Sequence, residues 1–124
     1  IIYVGGITKK NAEEEFDRIE DAVGSCQSAL KMGVVKGTGV ALYEYAQENQ
    51  ENLPRWFYEL LKEPAYKILN NANIKLEPVY EAFNVKTKQM DPKLVDSTHV
   101  IVHSLLNSFA MAELVINTSY ILYD

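Results

Sequence analysis

The chain contains one cysteine, Cys26, and few basic residues. A single thiol cannot form an internal disulfide, which excludes a disulfide framework and suits a reducing compartment. Twelve Lys and Arg residues against 17 Asp and Glu residues give a net charge of −5, whereas a nucleic-acid surface needs a basic stripe. No uninterrupted apolar run reaches the roughly 18 residues that cross a bilayer. We therefore expect no nucleic-acid partner and no membrane partner.

The composition is that of a globular domain. Of the 124 residues, 48% are hydrophobic and 23% are charged, which fits one modest folded domain. The chain begins with Ile1 rather than Met, and no secretory signal pattern leads it. Ile1–Val4 predicts a short strand, whose partner is either Tyr120–Tyr123 or a strand outside this chain. We expect the chain to be part of a longer protein.

Apolar periodicity predicts a mostly helical fold. The first helix is predicted over Lys10–Lys31, with Asn11 as its cap and Gly33 ending it. Its apolar stripe, in which Cys26 would be a small core residue, consists of Phe16, Ile19, Val23, Cys26 and Leu30. The further predicted helices are Gly37–Gln47, a helix from Pro54 that kinks or restarts at Pro64 and ends near Asn73, and a wide apolar helix from Asp91-Pro92 to Thr118. The last of these would lie at the centre of a bundle.

A small-residue corner, Gly37-Thr38-Gly39, precedes the second predicted helix. The opening end of a helix presents unpaired N–H groups and a positive dipole end, and glycine permits close approach of a ligand. Such a corner can hold a nucleotide or can be a tight turn between elements. It is neither a G-x-G-x-x-G fingerprint nor a Walker loop.

Two carboxylates are candidates for chemistry. Asp21 lies about 200° around the first helix from Ile19, so it points away from the apolar stripe. There it is either solvated or faces a cleft in which it orients water or Mg²⁺. Asp91 has a sufficient role as a cap, but it could also accept hydrogen bonds from ribose hydroxyls.

A metal site is not predicted. Asp96, His99 and His103 share one helical face by their spacing, and histidines four residues apart can bind zinc. However, no further Cys or Glu cluster completes a ligand set, and histidines on a helix face are usually packed or capped.

Taken in order, these motifs resemble group I chaperonins of the GroEL type. The matching segments are Tyr3–Thr8, Arg18–Ala22, Gly33–Leu42, Glu63–Pro64 with Ile68–Asn71, Asp91–Lys93 with Asp96–Thr98, Ala112–Thr118 and Ile121–Asp124. The resemblance implies a helical bundle of the equatorial-domain type with short terminal β-strands. Residues 1–31 would end the intermediate domain and form a long connecting helix, and residues 32–124 would form the C-terminal half of the equatorial domain as one compact helical unit.

The resemblance also implies site residues. Asp21 stands at the family's catalytic aspartate, which positions the attacking water near Mg²⁺. The implied nucleotide-binding positions are Gly37, Thr38, Gly39, Asn84, Val85, Lys86 and Asp91. The backbone of the first three would contact the nucleotide, the next three would touch the adenine, and the acid would bind the ribose.

The implied function is that of an ATP-dependent protein-folding chaperonin, with ATP and Mg²⁺ bound by the full-length parent. Its partners would be other subunits of a homo-oligomeric ring, and a co-chaperonin and unfolded polypeptides through domains outside these residues. The mitochondrial matrix or a plastid is the expected location, with the bacterial cytoplasm as the alternative. The family's phosphate-binding loop, of the Gly-Asp-Gly-Thr-Thr type, does not occur in this sequence, so we expect the chain alone to be inactive.

Two departures from the family pattern motivate another function. Thr38 replaces the middle residue of a glycine triplet, and a positive φ there would strain it. The segment between Asn73 and Asp91 is shorter than in the family. The alternative is a helical assembly or interaction module that has lost nucleotide chemistry.

Overall fold

A computed structural model describes residues 1–75 and 79–119. Four helices and only short strands occur in that part of the chain, so the mostly α fold class is confirmed. The elements are α1 (Lys9–Met32), β1 (Val34–Lys36), α2 (Val40–Glu48), α3 (Arg55–Asn71), β2 (Phe83–Asn84), β3 (Gln89–Met90), β4 (Val95–Ser97) and α4 (Thr98–Asn117). The chain divides into two compact units. The first unit is Ile1–Gly33 with the chain from Ser97 onward, and the second is Val34–Asp96. The family-domain boundary after residue 31 stays a prediction.

Local capping sets both ends of α1. The cap is Thr8 rather than the predicted Asn11, because the Thr8 side-chain oxygen accepts the Asn11 backbone N–H at 3.2 Å. At the other end, Gly33 adopts a φ of 77° and donates its N–H to the Ala29 carbonyl at 2.7 Å. A positive φ is favourable only for glycine and a few other residues, which explains why the helix ends where the sequence predicts.

The apolar faces of α1 and α4 are not covered by described residues. These two helices pack on each other in the first unit, yet neither contains a buried residue. A pair of helices covers only one side of each partner, so the rest of both apolar faces stays exposed. Two predictions are therefore wrong within the described residues: Cys26 is exposed rather than a core residue, and α4 is not at the centre of a bundle.

The predicted helix start at Asp91-Pro92 is also wrong, because α4 begins at Thr98. The Asp91 side chain instead accepts the Lys93 backbone N–H at 3.0 Å, and the Leu94 N–H bonds to the Asp91 carbonyl at 3.1 Å. These bonds close a turn, after which β4 pairs with β1. The same Asp-Pro signal serves a turn as well as a helix start, since Asp bonds to nearby backbone in both.

The predicted terminal strand at Ile1–Val4 is not formed among the described residues. A strand needs a partner to satisfy its backbone. Tyr120–Tyr123, the candidate partner, lies outside the described residues. The observed strands are internal instead.

Within residues 1–75 and 79–119, one helix, α4, is long and apolar enough to cross a membrane by length and composition, with a mean hydropathy of 1.5. A single such helix is weak support for a membrane span. The expected lack of a membrane partner stays a prediction.

The core of the second unit lies between α2 and α3. Its buried cluster consists of Val40, Tyr43, Ala65, Leu69, Val79 and Phe83. α3 continues through Pro64 without the restart that the sequence suggested. Gly39 allows the two helices to meet here, because a Cβ at Gly39 would lie 2.6 Å from the Ala65 backbone nitrogen. The hairpin β2–β3 is antiparallel and pairs Phe83 with Met90 and Asn84 with Gln89.

Candidate functional site

The glycine corner between β1 and α2 is held by the chain itself. The Gly37 N–H donates to the Leu94 carbonyl at 3.0 Å, and a Cβ at Gly37 would lie 3.0 Å from that carbonyl oxygen. Gly39 precedes α2 with a φ of 79°. Both glycines are thus required for close backbone approach, which is the structural role that the corner performs without any ligand.

Thr38, at the centre of the corner, adopts a positive φ of 56°. This is a strained region for a β-branched residue. Two hydrogen bonds hold it there: the Thr38 hydroxyl oxygen accepts the Phe83 N–H at 3.0 Å, and the Thr38 N–H donates to Asp96 Oδ2 at 3.1 Å. The corner is therefore joined to both β2 and β4.

The Asn84 and Asp91 side chains approach each other beside the β2–β3 hairpin. Asn84 Nδ2 lies 3.5 Å from Asp91 Oδ2, and the Asp91 N–H donates to the Ala82 carbonyl at 2.7 Å. Since Ala82 directly precedes Phe83, which bonds to Thr38, the corner and these two side chains share one region of the second unit. Both side chains are half-buried, so they keep some access to solvent.

Val85 and Lys86 form the exposed turn of the same hairpin. Asn84 fixes this turn, because its Oδ1 accepts the Lys86 N–H at 3.0 Å and the Thr87 N–H at 3.2 Å. The turn thus presents an apolar and a cationic side chain beside Asn84. Their contact with adenine stays a prediction.

Asp21 lies on α1 in the first unit and is exposed. Its catalytic role stays a prediction.

Sequence reasoning missed a polar cluster around Lys36. The Lys36 Nζ lies 2.6 Å from Glu44 Oε1, 2.9 Å from the Tyr80 carbonyl and 3.6 Å from Glu81 Oε1. The Glu44 hydrogen bond is the main cause that raises the pKa of Lys36 above its usual value. A cavity of about 550 Å³ lies beside it, lined by Tyr43, Glu44, Gln47, Glu48, Val79 and Tyr80. No local sequence motif predicts these contacts, because they join β1 to α2 and to the segment before β2.

The two histidines of α4 lie close together, with ring centroids 4.2 Å apart. Among residues 1–75 and 79–119, no group of three or more His, Cys, Asp or Glu side chains could hold a metal ion. A third protein ligand for this pair is thus lacking in the part of the chain that the structure describes.

Comparison with known proteins shows what the chain is similar to. No family model matches the chain. Chaperonin GroEL sequences of Orientia tsutsugamushi, from strains Boryong and Ikeda, are each 29% identical over 147 aligned residues that cover 100% of the chain. The chain spans only 26% of the length of these relatives. Because the match runs through the whole chain, the resemblance to GroEL-type chaperonins that the motifs indicated is confirmed.

Proposed function

We propose that the parent of this chain is an ATP-dependent protein-folding chaperonin and that the second unit contributes one wall of its ATP pocket. One observation carries the proposal. Thr38 stands far in sequence from Asn84 and Asp91, yet hydrogen bonds through Phe83 and Ala82 gather the three in one region. These are the positions to which the family resemblance assigned nucleotide contacts.

The chemistry of this region suits the base and ribose of a nucleotide. The Asp91 carboxylate can accept ribose hydroxyls, and the Asn84 amide both donates and accepts. The hairpin turn offers Val85 as an apolar surface for a base. When bound, ATP and Mg²⁺ would supply the phosphoryl chemistry, in which Asp21 would orient the attacking water.

The first unit supports proposed contacts with other subunits of a ring. Large apolar side chains on α4, including Leu106, Leu114 and Ile116, are more than half exposed. Exposed apolar surface of this kind commonly marks an interaction site. A co-chaperonin and unfolded polypeptides would bind through regions outside this chain. The relatives are bacterial, which favours the bacterial cytoplasm over an organelle as the proposed location.

Nucleotide binding tests the proposal directly. We expect ADP with Mg²⁺ to shift the backbone amide resonances of Thr38, Asn84 and Asp91 in the 124-residue chain. The isosteric Asp91→Asn variant should bind about tenfold more weakly, a loss of roughly 1.4 kcal/mol. Glu51→Gln, in the exposed turn after α2, is the matched control.

Binding that Asp91→Asn leaves unchanged would place the nucleotide elsewhere and contradict the proposal. Absence of binding to both the chain and its full-length parent would favour the assembly module without nucleotide chemistry, an alternative that the chaperonin similarity does not favour.

A further inference from the structure

A nucleotide bound at this corner would accept a hydrogen bond from the Thr38 N–H. That N–H already has a partner inside the chain. Asp96 Oδ2 accepts it at 3.1 Å, across 58 residues of sequence. A carboxylate accepting a backbone N–H forms a charge-assisted bond that is stronger than a neutral one. The donor is therefore occupied before any ligand arrives.

The N–H of the neighbouring Gly37 also has a partner, but this partner is a backbone carbonyl. The Gly37 N–H bonds to the Leu94 backbone carbonyl at 3.0 Å, and Gly37 is buried. Releasing that bond would require the chain around Leu94 to move. Asp96, in contrast, is exposed, and its carboxylate can leave Thr38 by rotation about its side-chain bonds, since water can solvate it.

We propose that Asp96 is a built-in competitor of the nucleotide: its carboxylate caps the Thr38 N–H in the empty corner and must withdraw when a nucleotide binds. This inference rests on the proposed function. It makes Asp96 a positioning residue that lowers nucleotide affinity and keeps the strained Thr38 conformation satisfied while the corner is empty.

Thr38 explains why such a cap is useful. Its φ of 56° is held from one side by the Phe83 N–H and from the other by Asp96. Without a partner for its N–H, the half-buried corner would carry an unsatisfied donor, which is costly. The carboxylate fills this role until a ligand replaces it.

The experiment compares ADP affinity of the wild-type chain with Asp96→Ala, Asp96→Asn and the control Glu51→Gln. We expect Asp96→Ala to bind ADP about fivefold more tightly, because the competing acceptor is gone. Asp96→Asn should fall between the two, since its amide oxygen remains a weaker, neutral acceptor. If Asp96→Ala does not fold, the isosteric Asn variant decides the order.

A second readout does not depend on affinity. The Thr38 amide should exchange with solvent faster in the nucleotide-free Asp96→Ala variant, and ADP should restore its protection. If wild type binds ADP and removal of the Asp96 carboxylate leaves the affinity equal or lower, this inference is overturned while the proposed function stands. If neither wild type nor any variant binds a nucleotide, both are overturned.

Discussion

The Thr38 hydroxyl oxygen accepts a hydrogen bond from the Phe83 backbone N–H at 3.0 Å, joining residues 45 positions apart. Phe83 is 3% exposed, so its N–H has little access to water. A side chain at a position where the family resemblance expects glycine thus satisfies a buried donor of the β2–β3 hairpin. Substitutions at Thr38 can therefore separate the hydroxyl from the rest of the side chain.

We expect Thr38→Val to lower the free energy of unfolding by about 1–3 kcal/mol, because it leaves the Phe83 N–H unsatisfied. Thr38→Ser keeps the hydroxyl and should change stability by less than about 0.5 kcal/mol. Urea denaturation of the two variants measures the difference. A larger loss in Thr38→Ser than in Thr38→Val would show that the γ-methyl group, which only Val retains, matters more than the hydrogen bond.

Gly39→Ala should be strongly destabilising. The added Cβ would lie 2.6 Å from the Ala65 backbone nitrogen, and the φ of 79° disfavours any side chain. Backbone cannot yield as a flexible side chain can, so we expect a loss of at least about 2 kcal/mol. Thermal unfolding measures it.

Gly24→Ala is the matched control for that substitution. Gly24 lies inside α1, and no other atom stands within 4 Å of the position that a Cβ would take there. Alanine should stabilise the helix by up to about 1 kcal/mol. A similar loss in both variants would show that the approach of Gly39 to α3 is not what requires glycine.

The cluster around Lys36 predicts a pH dependence. Its hydrogen bond to Glu44 raises the pKa of Lys36 above the usual 10.5. The resulting stabilisation is fully present below the pKa of the unfolded chain, and it disappears as the pH rises through the higher pKa of the folded chain. The stability difference between wild type and Lys36→Met should thus be constant near neutral pH and shrink above pH 10.5.

Denaturation midpoints measured across the alkaline range check this dependence. Lys67→Met, at an exposed position of α3, controls for the general effect of removing a lysine. A difference between wild type and Lys36→Met that grows with rising pH would have the wrong sign for this pairing.

Ser97 offers a stabilising substitution. Its side-chain oxygen is buried without a hydrogen-bond partner among the described residues, although Ser97 precedes α4 as its N-cap. Replacing it with alanine removes an unsatisfied polar group, so Ser97→Ala should raise the free energy of unfolding by about 1 kcal/mol. Ser108→Ala, which removes an exposed hydroxyl bonded to the Ser104 carbonyl at 2.7 Å, should be near neutral. A loss of stability in Ser97→Ala would indicate that the hydroxyl has a partner after all.

Local signals in the sequence were sufficient where a few neighbouring residues decide the structure. Gly33 ends α1 as expected, and Asn73 adopts a φ of 58° just after α3. Local signals failed where the structure depends on a partner that is distant in sequence. The turn at Asp91 leads into β4 because β1 is available for pairing, and β1 is too far away in sequence for a capping pattern to report it.

The candidate site likewise contains residues that the sequence predicted and residues that it did not. The family resemblance selected Thr38, Asn84 and Asp91, which the second unit gathers in one region. It could not reveal Asp96 as the partner of the Thr38 N–H, because that contact joins a turn to a strand 58 residues away. The Lys36 cluster was missed for the same reason: its partners lie on α2 and before β2, and no spacing rule connects them.

Asp21 is the candidate residue for ATP hydrolysis. The 124-residue chain should show no steady-state ATP turnover, because positioned phosphate contacts are needed for phosphoryl transfer and this sequence has no Gly-Asp-Gly-Thr-Thr type loop. In the full-length parent, Asp21→Ala should lower kcat at least about 100-fold, the loss typical of a positioned base or water-orienting group. Since Asp21 is exposed, its removal should leave the unfolding midpoint nearly unchanged, and Glu20→Ala on the same helix serves as the control. Turnover by the chain alone that disappears in Asp21→Ala would contradict the first expectation, and unchanged kcat in the parent would remove Asp21 from the mechanism.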